Sequence, residues 1–279
     1  AKAVTDDLSS YGTVLDLSAA SAKLLTVETR QLNNVWIAPA ADLAAAKPIT
    51  KSSFGRYDGL WGLGWTPDGQ LIYTTSGPRS VAIARMNADG SDQRTLTTPG
   101  SVDSALAVSP DGNFVVFHSN RSGGFDIWRM NTDGSDIRQL TFTKSSFQPF
   151  ISPDGAWVYY KGIEDGKQGL RRVSSTGGEP ELIDQIGTSW GSFSPDGGYF
   201  AASFFKEKWK LGLYSATTHD LIREFELPPT GTTFVGIGWM PDGRSIMYRD
   251  KEIGYWIQPI EGGPPRRLES LPSRPCLLP

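Results

Sequence analysis

A four-residue turn of the Ser-Pro-Asp-Gly type recurs six times along this chain of 279 residues. The last five copies keep Pro-Asp-Gly, whereas the first reads Ser-Ala-Ala-Ser. Internal repeats of about 40 to 50 residues are typical of propeller blades, so this period predicts a ring of similar units, which we call repeats 1 to 6. The turns begin at Ser18, Thr66, Ser109, Ser152, Ser194 and Met240, with spacings of 48, 43, 43, 42 and 46 residues.

Repeat 3 shows most clearly how one unit is built. An apolar strand at 105–108 runs into the turn at 109–112, and a strand rich in Phe and Val follows at 113–119. In the turn, proline pre-sets φ, aspartate can accept hydrogen bonds from the backbone, and glycine can adopt a positive φ. Two further strands, at 125–130 and 138–141, are joined by an Asp-Gly hairpin turn. Each repeat therefore predicts four antiparallel strands.

We predict an all-β fold, a six-bladed β-propeller of four-stranded antiparallel blades. One domain is expected over residues 1–270, followed by a non-repeat tail at 271–279 that contains the single cysteine, Cys276. The predicted blades cover residues 11–51, 57–98, 101–143, 145–184, 187–228 and 232–269.

Side-chain size alternates in the strand that precedes each turn, and this alternation favours a ring. Near the axis of a ring the blades crowd, so large residues must face small ones. Asp16 breaks the pattern, and its carboxylate needs hydrogen bonds, channel water or a bound cation. The residues one before each turn are Leu17, Trp65, Val108, Ile151, Phe193 and Trp239, and those two before are Asp16, Gly64, Ala107, Phe150, Ser192 and Gly238.

Charge and hydropathy narrow the choice of partners. The chain has 27 Lys and Arg against 30 Asp and Glu, a net charge of −3, and no block of five like charges. Nucleic acid is therefore not an expected partner. No apolar run approaches the roughly 18 residues that a membrane span requires, so we expect no membrane span. The oligomeric state is left open.

The strand-turn-strand units, together with Asp-Ile-Trp-Arg-Met-Asn-Thr-Asp-Gly-Ser-Asp-Ile-Arg-Gln-Leu-Thr at 126–141, resemble the TolB-type β-propeller repeat. The segments at 34–40, 57–60 and 65–69 look like propeller segments attached to bacterial sensor kinases and winged-helix regulators. The resemblance implies a binding or sensing module that is part of a larger bacterial protein. It also favours a periplasmic or other extracytoplasmic location.

Two residues are candidates for catalysis. Residues 187–191 spell G-x-S-x-G, the pattern that surrounds the nucleophilic serine of many hydrolases, with Ser189 at its centre. That pattern needs a strand before it and a helix after it, whereas here an inner strand is expected. His118, at the end of a second strand, is either a general base at the channel mouth or a partly buried structural residue.

A ligand site is expected on the face that carries the loops leading into the inner strands. Asp58 and Asp103 come just before inner strands, and with Asp16 they form a candidate Ca²⁺ site, because calcium prefers several oxygen ligands. Gln148 is a polar exception four residues before its turn. The candidate binding residues are Asp58, Trp61, Asp103, Arg121, Gln148, Trp190 and Trp209.

The loops on this face, which include those between the second and third strands, carry more basic than acidic residues, and this favours an acidic protein, a peptide or a small anionic ligand. Exposed loops are commonly charged, so a simple solvated surface is the alternative. We therefore predict a non-catalytic ligand- or protein-binding module. The alternative is a Ca²⁺-dependent hydrolase of small esters or lactones, with His118 as its base. The basic loop residues are Arg30, Arg79, Arg121, Lys161, Lys167, Lys206, Lys208, Lys210, Arg249 and Lys251.

Overall fold

The computed structural model describes residues 10–18, 23–29, 33–39, 45–52, 56–77, 80–98, 100–184, 188–227, 236–249 and 255–267. For residues 10–18, 23–29, 188–190 and 249 the description is limited to the backbone. The strands lie in antiparallel sheets, which confirms the all-β prediction. In these residues no helix has the length and apolar character needed to cross a membrane. The predicted tail at 271–279 falls outside them.

Twenty-four strands are present in the described residues, and their lengths differ with their place in the repeat. The first three strands of most repeats have five to nine residues, whereas the fourth is often only two residues long. In chain order they are β1 (Ser10–Ser18), β2 (Lys23–Thr29), β3 (Trp36–Ile37), β4 (Lys47–Pro48), β5 (Tyr57–Trp65), β6 (Gln70–Ser76), β7 (Val81–Asn87), β8 (Arg94–Thr95), β9 (Asp103–Val108), β10 (Phe114–Ser119), β11 (Asp126–Asn131), β12 (Arg138–Gln139), β13 (Ser146–Ile151), β14 (Trp157–Glu164), β15 (Lys167–Ser174), β16 (Glu181–Asp184), β17 (Thr188–Phe193), β18 (Tyr199–Lys206), β19 (Lys208–Ser215), β20 (Leu221–Glu226), β21 (Ile237–Trp239), β22 (Ser245–Arg249), β23 (Tyr255–Pro259) and β24 (Arg266–Arg267).

Repeats 2 to 6 each form one four-stranded antiparallel blade. The strands of each blade are hydrogen-bonded in chain order, as in β5-β6-β7-β8 and β17-β18-β19-β20. The first strands of the blades, β5, β9, β13, β17 and β21, contact one another in that order. These five strands are the inner strands, and the chain is a β-propeller in which successive blades pack side by side.

The prediction of six four-stranded blades is wrong, because the described residues form five. Repeat 1 gives two separate two-stranded sheets, β1-β2 and β3-β4. Its turn has lost the proline, aspartate and glycine that shape the corresponding turns of the other repeats. The residues 30–32 that join the two sheets lie outside the described part of the chain.

The sheet β3-β4 nevertheless occupies the place of an outer half-blade. A parallel bridge joins Asn33 to Tyr57 at the start of β5, and the same kind of bridge joins Val81 to Val102 in the next repeat. The hydroxyl of Thr50 accepts a hydrogen bond from the Val35 N–H at 2.9 Å. Its counterparts Thr97 and Thr141 accept equivalent bonds from β7 and β11.

The Pro-Asp-Gly turns are stabilised by a repeated set of hydrogen bonds. In repeat 3 the Ser109 hydroxyl donates to Asp111 Oδ1 at 2.6 Å and accepts from the Phe114 N–H at 3.0 Å. Asp111 Oδ1 also accepts from the Asn113 N–H. The hydroxyl-to-carboxylate bond recurs in repeats 2, 4 and 5, so the turn chemistry predicted from the sequence is confirmed.

Neighbouring blades pack through a large side chain on one inner strand and a glycine on the other. A Cβ placed on Gly64 would lie 2.8 Å from Val108 Cγ2, and one placed on Gly62 would lie 2.9 Å from the Leu106 Cγ. Residues one and three before a turn therefore face the preceding blade, while those two and four before it face the following blade. This geometry explains the alternation of large and small residues in the sequence.

The turns also contact each other between blades. A Cβ on Gly112 would lie 2.6 Å from Pro67 Cδ of the preceding turn, and one on Gly197 would lie 3.1 Å from Pro153 Cγ. The turn glycine is thus needed twice, for its positive φ and for the room it leaves to the neighbouring proline. Sequence reasoning identified only the first of these two requirements.

We predict that Gly112→Ala lowers the free energy of unfolding by about 2 kcal/mol or more, because it adds a contact with Pro67 to the strain of a left-handed residue. Gly69→Ala is the matched control. Gly69 has a similar φ, +84° against +73°, but no described atom lies within 4 Å of the Cβ position. Urea denaturation measures both variants, and equal losses would contradict a role for the contact between turns.

Candidate functional site

A cavity of about 760 Å³ is lined by all five inner strands. The lining is mostly apolar and includes residues 59–64, 105–108, 149–151, 191–195 and 236–238, together with a few residues of the turns and of repeat 6. Within the described lining there is no Asp, Glu, His, Cys, Lys or Arg side chain. Its polar groups are serine and tyrosine hydroxyls, the indole N–H of Trp61 and backbone atoms. Such a cavity is suited to binding an apolar segment rather than to acid-base chemistry.

The inner strands depart from regular pairing at equivalent places, three to eight residues before the turn. Register shifts occur in β5, β9, β13 and β17. At this place Ala105 and Gln148 have φ values of +49° and +55°, which are uncommon for residues other than glycine. The bulge directs the Gln148 N–H towards His118 in the preceding repeat, with a distance of 3.3 Å to Nδ1. Gln148 thus contributes through its backbone to the contact between repeats 3 and 4.

His118 lies between two blades and uses both of its ring nitrogens. Nε2 is 2.6 Å from the Ser104 hydroxyl, and since Nδ1 accepts the Gln148 N–H, Nε2 carries the hydrogen and donates to Ser104. The rings of Phe125 and Phe147 lie 4.9 and 6.1 Å from the imidazole. Burial lowers the pKa of His118 to about 4, against a smaller opposing effect of Asp103. The residue is not part of the cavity lining, and its catalytic role stays a prediction.

The other catalytic candidate, Ser189, lies within β17 and pairs with Ser203 of β18. This strand context agrees with the expectation that 187–191 is not a nucleophile elbow, although the Ser189 side chain lies outside the described atoms. His219 follows β19 and its Nε2 is 2.9 Å from the Tyr159 hydroxyl. Burial, followed by the nearby Arg172, lowers its pKa.

Asp103 is completely buried, and all of its described partners are within the fold. Oδ1 accepts hydrogen bonds from Ser101 and Ser119, and Oδ2 accepts one from Arg121 Nη2 at 2.8 Å. The Arg121 guanidinium lies 5.0 Å from the Trp128 ring centre. Because a buried carboxylate is costly unless it is paired, this arrangement is a structural anchor for the strand ends of repeat 3. Asp103 and Arg121 thus pair with each other, and ligand binding by these two residues stays a prediction.

Asp58 repeats the same arrangement one blade earlier. Its carboxylate accepts hydrogen bonds from Ser52 and Thr75 at 2.6 and 2.7 Å, and Arg56 Nε lies 3.6 Å away. Thr75 is the strand partner of Asp58, as Ser119 is the partner of Asp103.

The predicted calcium site needs Asp58, Asp103 and Asp16 together. In the described part of the chain no group of three potential metal ligands is found, and the Asp16 side chain is outside that part. Calcium binding therefore stays a prediction.

A third buried carboxylate, Asp126, was missed by sequence reasoning. It accepts hydrogen bonds from Ser122, Gln139 and Thr141, and from the Lys144 N–H in the connection to repeat 4. The signal in the sequence was a single acidic residue at the start of a strand that otherwise contains Ile, Trp, Arg, Met and Asn.

The three tryptophans predicted to bind have different environments. Trp61 lies in β5 and lines the cavity, with half of its surface exposed. Trp209 packs partly against the core of repeats 5 and 6, and its ring stands edge-on to Phe205 at 5.7 Å. Trp190 lies in β17, and its side chain is outside the described atoms.

Several of the basic loop residues are paired with glutamates or partly buried. Fewer of them can therefore bind an anion than the sequence suggested. Lys210 pairs with Glu224 at 2.6 Å and with Glu226 at 3.3 Å, and Lys208 also pairs with Glu226. Lys161 is half buried, and burial lowers its pKa. Lys208 and Lys210 lie on β19, and Glu224 and Glu226 lie on β20, the strand that pairs with β19. The sequence of the loops therefore could not show that these glutamates neutralise the two lysines.

We predict that stability falls as the pH drops from about 6.5 towards 4 because His118 resists protonation in the folded protein. The unfolded chain binds the proton near the ordinary pKa of 6.5, whereas the folded chain binds it near 4. The loss reaches about 3 kcal/mol over this interval. Urea midpoints between pH 4 and 7.5 measure it, and His118→Gln should flatten the curve. His219→Gln is the control and should keep most of the slope; an unchanged slope in His118→Gln would refute the assignment.

We predict that Asp103→Ala costs about 3 to 5 kcal/mol of unfolding free energy, because Arg121 and two hydroxyls lose a buried partner. The matched control is Asp92→Ala, which removes an exposed ion pair of the same 2.8 Å length to Arg94 and should cost less than about 1 kcal/mol. Guanidinium chloride denaturation gives both values. A loss below 1 kcal/mol for Asp103→Ala would show that the carboxylate is not an anchor.

Comparisons with solved structures agree with the propeller architecture. TolB from Acinetobacter baumannii is 18% identical, with a TM-score of 0.62 over 79% of this chain and 58% of that chain. A putative TolB from Agrobacterium tumefaciens is 15% identical, with a TM-score of 0.65 over 80% of this chain and 84% of that one. A chain of a nidogen/laminin complex is 13% identical, with a TM-score of 0.62 over 77% and 80%. At these identities the likeness shows the fold alone.

The chain spans 58% of the length of the Acinetobacter protein. No curated protein sequence matches it. A sequence profile of the TolB beta propeller domain matches residues 62–216, which is more than half of the chain and runs from β5 of repeat 2 to the end of β19 in repeat 5. The chain therefore belongs to the TolB beta propeller domain family.

Proposed function

We propose that the chain is a non-catalytic binding module that holds a segment of a protein or peptide in its central cavity. The observation that supports this proposal is the cavity of about 760 Å³, to which every inner strand contributes apolar side chains or glycines. Backbone atoms and a few hydroxyls at its wall can orient a peptide, while the apolar surface contributes most of the affinity.

The chemistry of the wall favours an apolar peptide segment over a small anion. The described lining has no cationic side chain, and three of the basic loop residues are paired with carboxylates of this chain. An anion entering the cavity would lose water without gaining a charged partner, which is unfavourable. A peptide can bury its side chains and keep its backbone groups at the open mouth.

The hydrolase alternative has weaker support. Asp58, Asp103 and His118 lie outside the cavity lining, and each has hydrogen-bonding partners within the fold. A metal-bound water or a general base would need these groups to face a substrate. We therefore place the binding module first and keep calcium-dependent hydrolysis as the second candidate, to be tested by titration of chelator-treated protein with calcium.

The family membership and the length relative to the Acinetobacter protein support a further part of the proposal. We place the module in a larger bacterial protein, in which it is the sensing or binding part. An extracytoplasmic location fits this role. Both points rest on the family resemblance rather than on the geometry of the cavity.

A peptide library displayed on phage and selected against the full chain tests the function. Gly238→Trp should weaken the selected peptides at least about tenfold, because the indole enters the cavity at a glycine where no described atom lies within 4 Å of the Cβ position. Gly77→Trp is the matched control: Gly77 is equally open but does not line the cavity. Failure to select any peptide, or equal affinities for both variants, would overturn the proposal.

A further inference from the structure

Two arginines stand opposite each other on the outer strands of repeat 3. Arg129 in β11 is the strand partner of Arg138 in β12, so both side chains lie on the same face of the blade. The side chain of Arg138 is 40% exposed, which leaves the pair accessible from solvent. Like charges directly opposite each other in an antiparallel pair are destabilising. The pair therefore lowers stability unless negative charge is bound close to it.

The guanidinium group of Arg129 is held in position by two uncharged groups. Its central carbon lies 3.9 Å from the centre of the Phe114 ring, an arrangement in which the face of the ring attracts the cation. Its Nη1 donates a hydrogen bond of 2.7 Å to the carbonyl oxygen of Ser175 in repeat 4. These contacts fix the side chain between two blades without neutralising its charge.

Neither arginine of the pair uses its Nε hydrogen. The Nε atoms of Arg129 and Arg138 are buried and have no hydrogen-bond partner among the described residues. Asp136 Oδ2 lies 4.0 Å from Arg138 Nε, which is too far for a hydrogen bond. Burial, followed by the charge of Arg138, lowers the pKa of Arg129, and the carboxylates of Asp136 and Asp111 oppose this only in part. The two guanidinium groups thus keep unused donors and charge that is incompletely compensated.

Repeat 4 shows which group completes the same arrangement. Arg172 stands at the place of Arg129, and its guanidinium carbon lies 4.1 Å from the ring centre of Trp157. The strand partner of Arg172 is Glu181, whose Oε2 lies 2.8 Å from the arginine Nε and 2.7 Å from Nη2. Although burial lowers the pKa of Arg172, hydrogen bonds with Tyr159 and Glu181 give it a net rise. In repeat 3 a second arginine replaces this carboxylate.

Repeat 2 also has two opposed arginines, but there the second one has a carboxylate of its own. Arg85 is the strand partner of Arg94. The Nε of Arg94 lies 2.8 Å from Asp92 Oδ1, so this donor is used within the repeat. Repeats 2 and 4 therefore supply an acidic group at this place, and repeat 3 leaves the position next to Arg129 without one.

We propose that Arg129 and Arg138 bind a carboxylate group of another molecule, in the place that Glu181 fills in repeat 4. A carboxylate has two oxygens and accepts hydrogen bonds from both guanidinium groups, whose planar donor sets match it. Because Phe114 and Ser175 already hold Arg129, little side-chain entropy is lost when the ligand binds. None of these four residues belongs to the lining of the central cavity, so the site is separate from the proposed peptide site.

Thermal unfolding of the full chain in sodium acetate and in sodium chloride of equal concentration, at neutral pH, tests the site. Acetate should raise the Tm by about 2 °C or more relative to chloride, because a ligand that binds only the folded state stabilises it. Arg138→Glu should abolish this difference, since the introduced carboxylate pairs with Arg129 as Glu181 pairs with Arg172. No acetate effect in the unmodified protein would overturn the proposal.

Arg94→Glu is the matched control, because it makes the same change at the equivalent position of repeat 2. It should keep the full acetate effect. An acetate effect of the same size in Arg138→Glu and Arg94→Glu would show that acetate acts on the whole surface rather than at this pair, and the proposal would be wrong.

NMR of the arginine Nε–H groups observes binding directly. Acetate should shift the Nε–H signals of Arg129 and Arg138, identified through Arg129→Lys and Arg138→Lys, with saturation, while that of Arg172 stays constant. Shifts that grow without saturation, or that include Arg172 equally, would refute the site. A tripeptide with a central glutamate and blocked ends is the second probe. Half-saturation at a lower concentration than acetate indicates a protein side chain as the natural ligand, and equal half-saturation indicates a free organic acid. Neither readout involves the cavity, so this inference and the proposed function can fail separately.

Discussion

The close approach of neighbouring inner strands is the constraint on which the rest of the structure depends. Val108 can sit against the backbone of β5 because position 64 has no side chain, and Leu106 uses the space at Gly62 in the same way. Where β13 meets β17 the roles are reversed, and Phe150 of the preceding blade packs on Gly191 of the following one. At both interfaces a large side chain of one inner strand lies against a glycine of its neighbour. Dense packing of this kind is sensitive to single added atoms, and it sets both the spacing of the blades and the width of the cavity between them.

The polar residues of the loop face are used to hold that packing in place. Asp58, Asp103 and Asp126 each accept several hydrogen bonds at the ends of strands, and His118 links two blades through both ring nitrogens. A buried charge or imidazole without partners would be expensive, so these groups are satisfied locally. The cavity is left with an apolar wall. This apolar wall is the basis of the binding function proposed above, whereas the described partners of the three carboxylates are groups of this chain.

The sequence predicted the parts of the fold that depend on local rules. The Ser109 turn, the four-strand order of repeat 3 and the alternation of Gly64 with Trp65 all follow from residue types at fixed spacing. The candidate site was predicted less well, because Asp103 and Arg121 had to be seen 2.8 Å apart before their roles could be assigned. Asp126 was missed for the same reason. Pairing across strands depends on which residues face each other, and the order of residues along the chain does not show this.

By itself, the sequence determined the repeat period, the turns and the inner-strand pattern, since each arises from interactions among residues close in the chain. The tertiary structure alone decided that Pro67 lies close to Gly112 and that β5 and β21 both line one cavity. The physical reason is that these features depend on contacts between blades. The residues involved are some 40 or more positions apart, and only the packed ring brings them together.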